Sequence, residues 1–196
     1  TIESFDGPMG GRTYDWLAPL MGFGPALLRR ATHALPFEPG MRVLDLGCGT
    51  GFLSLAVAER VGATGEVHGL DLSPTQLARA RHKAAHAPCP LTLHEGSMDE
   101  LPFDAGHFDA VVSSFALHGV PPAVRYAALD EIARVLRPGG FFGLVDWSRP
   151  RLGLKGLLWL PSCVMAPHSE DNLKNRYEAL CAERGLQRLT DVYLDS

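Results

Sequence analysis

The 196-residue sequence predicts a doubly wound α/β fold built on a mostly parallel sheet. Three observations carry that expectation. Short apolar runs alternate with segments of helical period along most of the chain. The first such run is followed at once by alternating glycines, Gly47, Gly49 and Gly51. The second is followed by a helix start with its own capping chemistry, Ser73-Pro74-Thr75-Gln76. Strand and helix in strict alternation are what parallel strands and crossover helices require, since each crossover returns the chain to the same edge of the sheet.

The elements follow in order. Tyr14 to Leu35 reads as one or two helices, interrupted around Gly22-Phe23-Gly24-Pro25. A turn over Pro36 to Gly40 leads into a first strand, Arg42 to Leu46. Gly49 and Gly51 then open a helix to about Val61, with Leu53, Val57 and Val61 four residues apart on one face. Gly65 to Asp71 is the second strand. In the helix that follows, Ser73 is the N-cap, Pro74 takes the first helical position and Gln76 completes a capping box, with the end before Pro88. Leu91 to Glu95 and Phe108 to Ser113 are the third and fourth strands. Pro122 to Leu136 places Val124, Leu129, Ile132, Val135 and Leu136 at helical spacing, and Pro138-Gly139-Gly140 stops it before a fifth strand, Phe141 to Asp146. A Gly- and Leu-rich stretch runs to Pro167, a helix from about Glu170 to Arg184, and a last strand from about Leu186 to Leu194. Residues 1–196 form one domain.

Composition narrows the function. Eighteen Lys and Arg against 22 Asp and Glu give a net charge of -4 with no block of like charges, which speaks against nucleic-acid binding through a clustered basic face. No apolar run is long enough to span a bilayer, and no charged-then-apolar leader pattern opens the chain. The four cysteines, Cys48, Cys89, Cys163 and Cys181, form no C-x-x-C pair and no zinc spacing, so neither a metal centre nor a disulfide framework is expected and a reducing cytoplasm fits.

In open α/β sheets, ligands sit outside the carboxyl ends of the strands where strand order reverses, so the site belongs in the loops after Leu46, Leu70, Glu95 and Ser113. Gly47, Gly49 and Gly51 let main chain approach a ligand without Cβ interference, with free N–H groups at the helix start facing it. Asp45 at the strand end suits a cationic ligand group better than a pyrophosphate. A nicotinamide or flavin loop would carry glycine at position 52, where Phe stands here. Asp71 ends the second strand about 20 residues after the Gly loop, where an acidic residue takes ribose hydroxyls; the alternative is that it caps the helix beginning near Ser73. Asp99, after Gly96-Ser97-Met98, is placed to accept from an exocyclic amine, with Met98 as an apolar ring contact, or belongs to an ordinary polar loop.

Together these residues resemble the class I S-adenosylmethionine (SAM)-dependent methyltransferases, a Rossmann-like fold. Val43-Leu44-Asp45-Leu46-Gly47-Cys48-Gly49-Thr50-Gly51 looks like the family's first motif, and Gly69-Leu70-Asp71-Leu72-Ser73 like its ribose motif. Residues 96–103 with Phe108 to Val112 resemble the adenine loop and fourth strand, and Leu136 to Gly140 the turn before the fifth. The resemblance implies S-adenosyl-L-methionine as cofactor and S-adenosyl-L-homocysteine as product. Gly47, Cys48, Gly49 and Gly51 would line the methionine and ribose, and Asp45 would meet the amino group. Asp71 would hold the ribose hydroxyls, and Leu72 would pack on adenine. Ser97, Met98 and Asp99 would contact adenine, and Ser114 and Phe115 would line the methyl-donor end. Tyr14-Asp15, Gly22-Phe23-Gly24 and Leu144 to Pro150 are similar to the ubiquinone/menaquinone-biosynthesis C-methyltransferases. That likeness makes residues 1–38 a helical lid, with Tyr14 folding over the cofactor or only anchoring its helix. The family sheet has seven strands, the last two antiparallel. One strand fits after Gly185 here, so the last antiparallel strand is expected to be missing, or the sheet to close differently.

A sulfonium-borne methyl is already activated, so a general base matters only if the acceptor must lose a proton. His118, just past the fourth strand, is the candidate, or else orders its loop through backbone bonds. The other histidines, His68 and His94 among them, share no spacing and read as surface or loop residues. Leu152 to Met165 is an apolar stretch, either a wall for a quinone-, lipid- or polyketide-like acceptor or a segment packed on the sheet. A SAM-binding module without catalysis and a nicotinamide-dependent oxidoreductase remain as alternatives.

Overall fold

Alternate residues of a strand face opposite sides of its sheet, so short apolar strands with no polar face must be covered on both. The computed structural model of the chain, which describes residues 15–16, 24–146, 170–187 and 189–190, meets that demand. The strands β1 (Arg42–Leu46), β2 (Glu66–Asp71), β3 (Leu91–Glu95), β4 (Phe108–Ser114) and β5 (Leu136–Val145) form one parallel sheet in the order β3-β2-β1-β4-β5. The order reverses between β1 and β4, so the crevice outside Leu46 and Ser114 is the topological switch point. Ser113 Oγ donates to Leu46 O at 2.8 Å and ties the two strand ends together there.

The helices are α1 (Pro25–His33), α2 (Phe52–Val61), α3 (Pro74–Ala84), α4 (Pro122–Val135), α5 (Glu170–Leu173) and α6 (Tyr177–Ala182). On one face Val43, Val67, Ala110 and Val112 pack with Leu28, Val57 and Val61 from α1 and α2. On the other, Leu44, Leu46, Leu70 and Val111 pack with Leu129, Ile132 and Val135 from α4 and Leu180 from α6. Period-two alternation therefore puts Asp45, two residues after Val43, on the α2 face.

Some local expectations are corrected. Strand β5 starts at Leu136 rather than Phe141, because Phe108 pairs with Leu136 and Ala110 with Phe141, and Arg137 to Gly140 bulge out opposite Asp109. Gly139 supplies the left-handed turn at φ +81, and Arg137 Nε pairs with Asp109 Oδ1 at 2.7 Å. The expected helix from Glu170 to Arg184 is two helices, broken where Asn175 takes φ +54. The capping box is half formed: Ser73 Oγ accepts from Gln76 N at 3.1 Å, but Ser73 N–H goes to Asp71 Oδ1 at 2.9 Å, so Gln76 has nothing to return to. A 3₁₀ turn, Leu117–Gly119, precedes α4. The last strand does not appear at residues 186, 187, 189 and 190, and its remainder lies outside the described residues, as does the apolar stretch Leu152 to Met165.

His68 and His94 are not loop residues. They stand on neighbouring strands, stacked with ring nitrogens 3.0 Å apart, and His68 Nε2 meets Glu66 Oε1 at 2.8 Å. Burial holds the His68 imidazole below its ordinary pKa against the pull of Glu66.

Candidate functional site

The loop after β1 folds around its own main chain. Gly47 N and Cys48 N both donate to Leu70 O, at 2.8 and 3.0 Å, and Gly51 N closes a turn onto Cys48 O at 2.9 Å. Gly49 N donates to Asp71 Oδ2 at 2.8 Å. At these four positions the protein's own acceptors take the N–H groups, while the helix proper, where ligand-facing N–H groups were expected, begins at Phe52. All three glycines have positive φ, +72 at Gly47, +52 at Gly49 and +83 at Gly51. Their surroundings differ. A methyl on Gly47 would lie 2.4 Å from Ala116 Cβ, whereas one on Gly49 would meet nothing within 4 Å. Gly47 keeps two loops in contact; Gly49 faces open space.

Two carboxylates flank this loop. Asp45 is fully buried, with Oδ2 receiving Ser54 Oγ at 2.5 Å and Oδ1 without a hydrogen-bond partner among the described residues. Burial pushes its carboxyl up to about 7; the Ser54 bond opposes that rise, and the nearby charge of Asp71 adds to it. Asp71 bridges Gly49 N–H and Ser73 N–H through its two oxygens, so it braces the start of α3 as well as the loop. Leu72 is half-buried beside it. Cys48 is buried, and burial with the two carboxylates raises its thiol well above the ordinary range, which removes it as a nucleophile.

Gly96 N donates to Asp71 O at 3.1 Å, which brings the loop after β3 to the same place. There Ser97 Oγ donates to Asp99 Oδ1, and both residues are half-buried. Met98 Cε lies 3.7 Å from where a Gly47 methyl would stand, under the Gly loop. Ser114 at the end of β4 and Phe115 just past it are half-buried, and Phe115 holds φ +51, an uncommon value for a non-glycine residue, while its N–H bonds Val145 O at 2.9 Å. Ala116 touches the Gly loop, and two residues on, His118 Nδ1 lies 2.7 Å from Asp146 Oδ1.

The structure therefore brings Asp45, Gly47, Cys48, Gly49, Gly51, Asp71, Met98 and the Ser114–His118 loop to one edge of the sheet, with Leu72, Ser97 and Asp99 on the adjoining loops. Tyr14 lies outside the described residues. Sequence reasoning missed Asp146 as the partner of His118, although it directly follows β5, the strand next to β4. It also missed Ser54, which period 3.6 on α2 could have placed under Asp45, and the Arg125 anchor of the His118 turn. Arg125 is fully buried, donating to Leu117 O at 2.9 Å and Val120 O at 3.0 Å and pairing with Asp171 Oδ2 at 2.6 Å. Among the described residues no group of His, Cys, Asp and Glu is arranged to hold a metal ion, and no helix is long and apolar enough to cross a membrane.

The model of a methyltransferase domain matches residues 43–140. An uncharacterized methyltransferase of Synechocystis sp. is 42% identical over 137 residues, 67% of this chain and 60% of that protein. A demethylmenaquinone methyltransferase of Desulfitobacterium hafniense is 32% identical over 154 residues, 76% of this chain and 60% of that protein. The chain thus spans about three-fifths of the length of these curated relatives. A SAM-dependent methyltransferase from Aquifex aeolicus shares the fold, with a TM-score of 0.69 at 20% identity over 89% of this chain and 85% of that one.

Proposed function

The chain belongs to the methyltransferase-domain family, and from that premise we propose that it transfers a methyl group from S-adenosyl-L-methionine to a small-molecule acceptor, releasing S-adenosyl-L-homocysteine. The observation that carries this reading is the charge under the Gly loop. A phosphate cradle needs N–H groups turned to the ligand. Here four are spent on Leu70, Asp71 and Cys48, and the buried group beneath the loop is a carboxylate with an oxygen to spare. That combination favours a cationic ligand and disfavours a pyrophosphate.

Bound SAM supplies a methyl already activated on sulfonium. In this reading Asp45 Oδ1 receives the cofactor's ammonium group, Asp71 the ribose hydroxyls, Leu72 and Met98 the faces of adenine, and Asp99, steadied by Ser97, its amine. Gly49 and Gly51 leave room for the methionine and ribose, and Ser114 and Phe115 bound the donor end. Tyr14 and the N-terminal stretch supply the lid. His118, oriented by Asp146, takes a proton from an acceptor hydroxyl where one must be lost. The carboxylate steadies the imidazolium that results, which a lone imidazole lacks. For the acceptor we favour an apolar, quinone-like ring, in line with the demethylmenaquinone methyltransferase relative. The absence of a clustered basic run supports a small molecule over nucleic acid, and the free thiols of Cys48, Cys89 and Cys181 agree with a cytoplasmic setting.

Calorimetric titration with SAM, S-adenosyl-L-homocysteine and NADH, alongside Asp71→Ala, tests the cofactor. Micromolar binding of both adenosyl ligands, weakened in the variant, is expected. A folded protein that binds neither, or that binds NADH instead, sinks the reading.

A further inference from the structure

Lys83 stands outside every motif read from the sequence, yet its ammonium has three partners. Nζ lies 2.8 Å from Asp15 Oδ1, 2.8 Å from Thr50 O and 3.9 Å from the centroid of the Phe52 ring. Thr50 and Phe52 flank Gly51, the left-handed N-cap of α2, so the ammonium sits where the Gly loop turns into helix. The other oxygen of Asp15 accepts from Arg79 Nη2 at 3.3 Å. Arg79 and Lys83 are four apart on α3 and share a face, so one helix presents two cations to one carboxylate from the N-terminal stretch.

This is not an ordinary surface pair. The side chains of Asp15 and Lys83 are 14% and 19% exposed, so solvent screens their attraction less than it does between fully exposed partners. Nor is the contact remote from the site. A methyl on Gly51 would stand 3.2 Å from Ala80 Cβ, which shows how closely α3 approaches the loop. The same helix starts at Ser73, beside Asp71, whose carboxylate takes the Gly49 N–H. The loop is therefore held to α3 twice, at Gly49 through Asp71 and at Thr50 through Lys83, and the second hold also grips Asp15.

We propose that Lys83 is a positioning residue of the cofactor site. Through Thr50 O it fixes the main chain of Gly49 to Phe52, and through Asp15 it ties residues 15 and 16 to that loop. Docking of Asp15 and Trp16 and binding of an adenosyl amino acid then reinforce one another, and by linkage the coupling is the same in both directions. The inference rests on the Gly loop being the cofactor site.

Two measurements on the full chain test it: amide hydrogen exchange of the ligand-free protein, and calorimetric titration with S-adenosyl-L-homocysteine. The variants are Asp15→Asn, Lys83→Met and their combination. Both single variants should speed exchange within residues 47–55 and weaken binding, with Lys83→Met losing about tenfold and the double variant no worse than Lys83→Met, as members of one network behave. In the wild type the ligand should slow exchange at Asp15 and Trp16, and in Lys83→Met it should not. Wild-type exchange and affinity in both single variants would overturn the proposal. So would weaker binding with unchanged loop exchange, which would make Lys83 a direct ligand contact. If Lys83→Met does not fold, Asp15→Asn decides alone, since it removes one charge at the start of the chain. Failure of the wild type to bind the ligand would count against the methyltransferase reading, while the exchange comparison would still judge the latch.

Discussion

The two halves of the switch-point crevice are built by different means. On the β1–β2 side the site is main chain: Gly47, Cys48 and Gly51 bond backbone carbonyls, and Asp71 reaches back 22 residues to Gly49 N–H. On the β4–β5 side it is side-chain pairing at longer range, His118 with Asp146 across 28 residues and Arg125 with Asp171 across 46. Main-chain architecture admits little variation, because the left-handed positions exclude most residues. Side-chain pairs can be exchanged for others of the same shape. In the proposed reading the main-chain half is the cofactor end and the side-chain half the acceptor end, so the first is fixed and the second adjustable.

The comparison can be broken first on the side-chain half. Asp171→Ala would take the carboxylate 2.6 Å from Nη1 away from the fully buried Arg125 guanidinium. It should cost about 3–5 kcal/mol in denaturant unfolding. Replacing both partners with apolar residues should recover much of this. Near-wild-type affinity for S-adenosyl-L-homocysteine in whatever stays folded is expected, and a large loss there would mean that the two halves are not separate. On the main-chain half, Asp71→Ala removes an acceptor from Gly49 and Ser73 N–H and, in the proposed reading, from the ribose. Charge-assisted bonds of this kind imply a binding loss of roughly 10- to 100-fold. Unchanged calorimetric affinity would reduce Asp71 to a helix brace.

Two glycine variants sharpen the contrast inside one loop. Gly47→Ala drives a methyl to 2.4 Å from Ala116 Cβ at a φ of +72. Overpacking with backbone strain should lower stability by about 1–3 kcal/mol. Gly49→Ala meets no protein atom within 4 Å, so its stability loss should be smaller and its affinity loss larger. Thermal unfolding and calorimetry on the pair separate the two, and an affinity loss confined to Gly47→Ala would reverse the assignment.

What could be read from the sequence divides along the same line. The Gly loop, the β1 to β4 boundaries and the Ser73 cap depend on neighbours within a few residues, and the structure places the strand ends within about one residue of expectation. The capping box failed because Asp71, two residues upstream, competes for the Ser73 N–H that Gln76 was expected to take. Pro138-Gly139-Gly140 reads as a stop signal, but a bulge absorbs it and β5 begins earlier. His68 and His94 share no sequence spacing, and strand register alone makes them neighbours. Asp146, Asp171 and Lys83 gain their meaning from residues tens of positions away, which local pattern does not encode.

The last effect, and the one specific to protonation, concerns Asp45. Its folded-state carboxyl is pushed up to about 7 by burial, well above its ordinary value. A raised folded pKa means that Asp45 favours the folded state most at low pH, below its unfolded pKa near 3.9. That contribution is lost as pH rises from there through about 7. A cationic ligand group reverses the preference at this one site, since it binds the ionised carboxylate better than the neutral acid. Affinity for S-adenosyl-L-homocysteine should therefore rise with pH, by up to about tenfold per unit below the carboxyl's pKa, and level off above about 7. Asp45→Asn should bind more weakly at neutral pH and lose this slope, while Asp71→Ala, a change on the ribose side, should keep it. Titrations at stepped pH with the three proteins distinguish the cases. A flat wild-type profile would mean that Oδ1 meets a neutral partner, and the cation would have to be sought elsewhere along the loop.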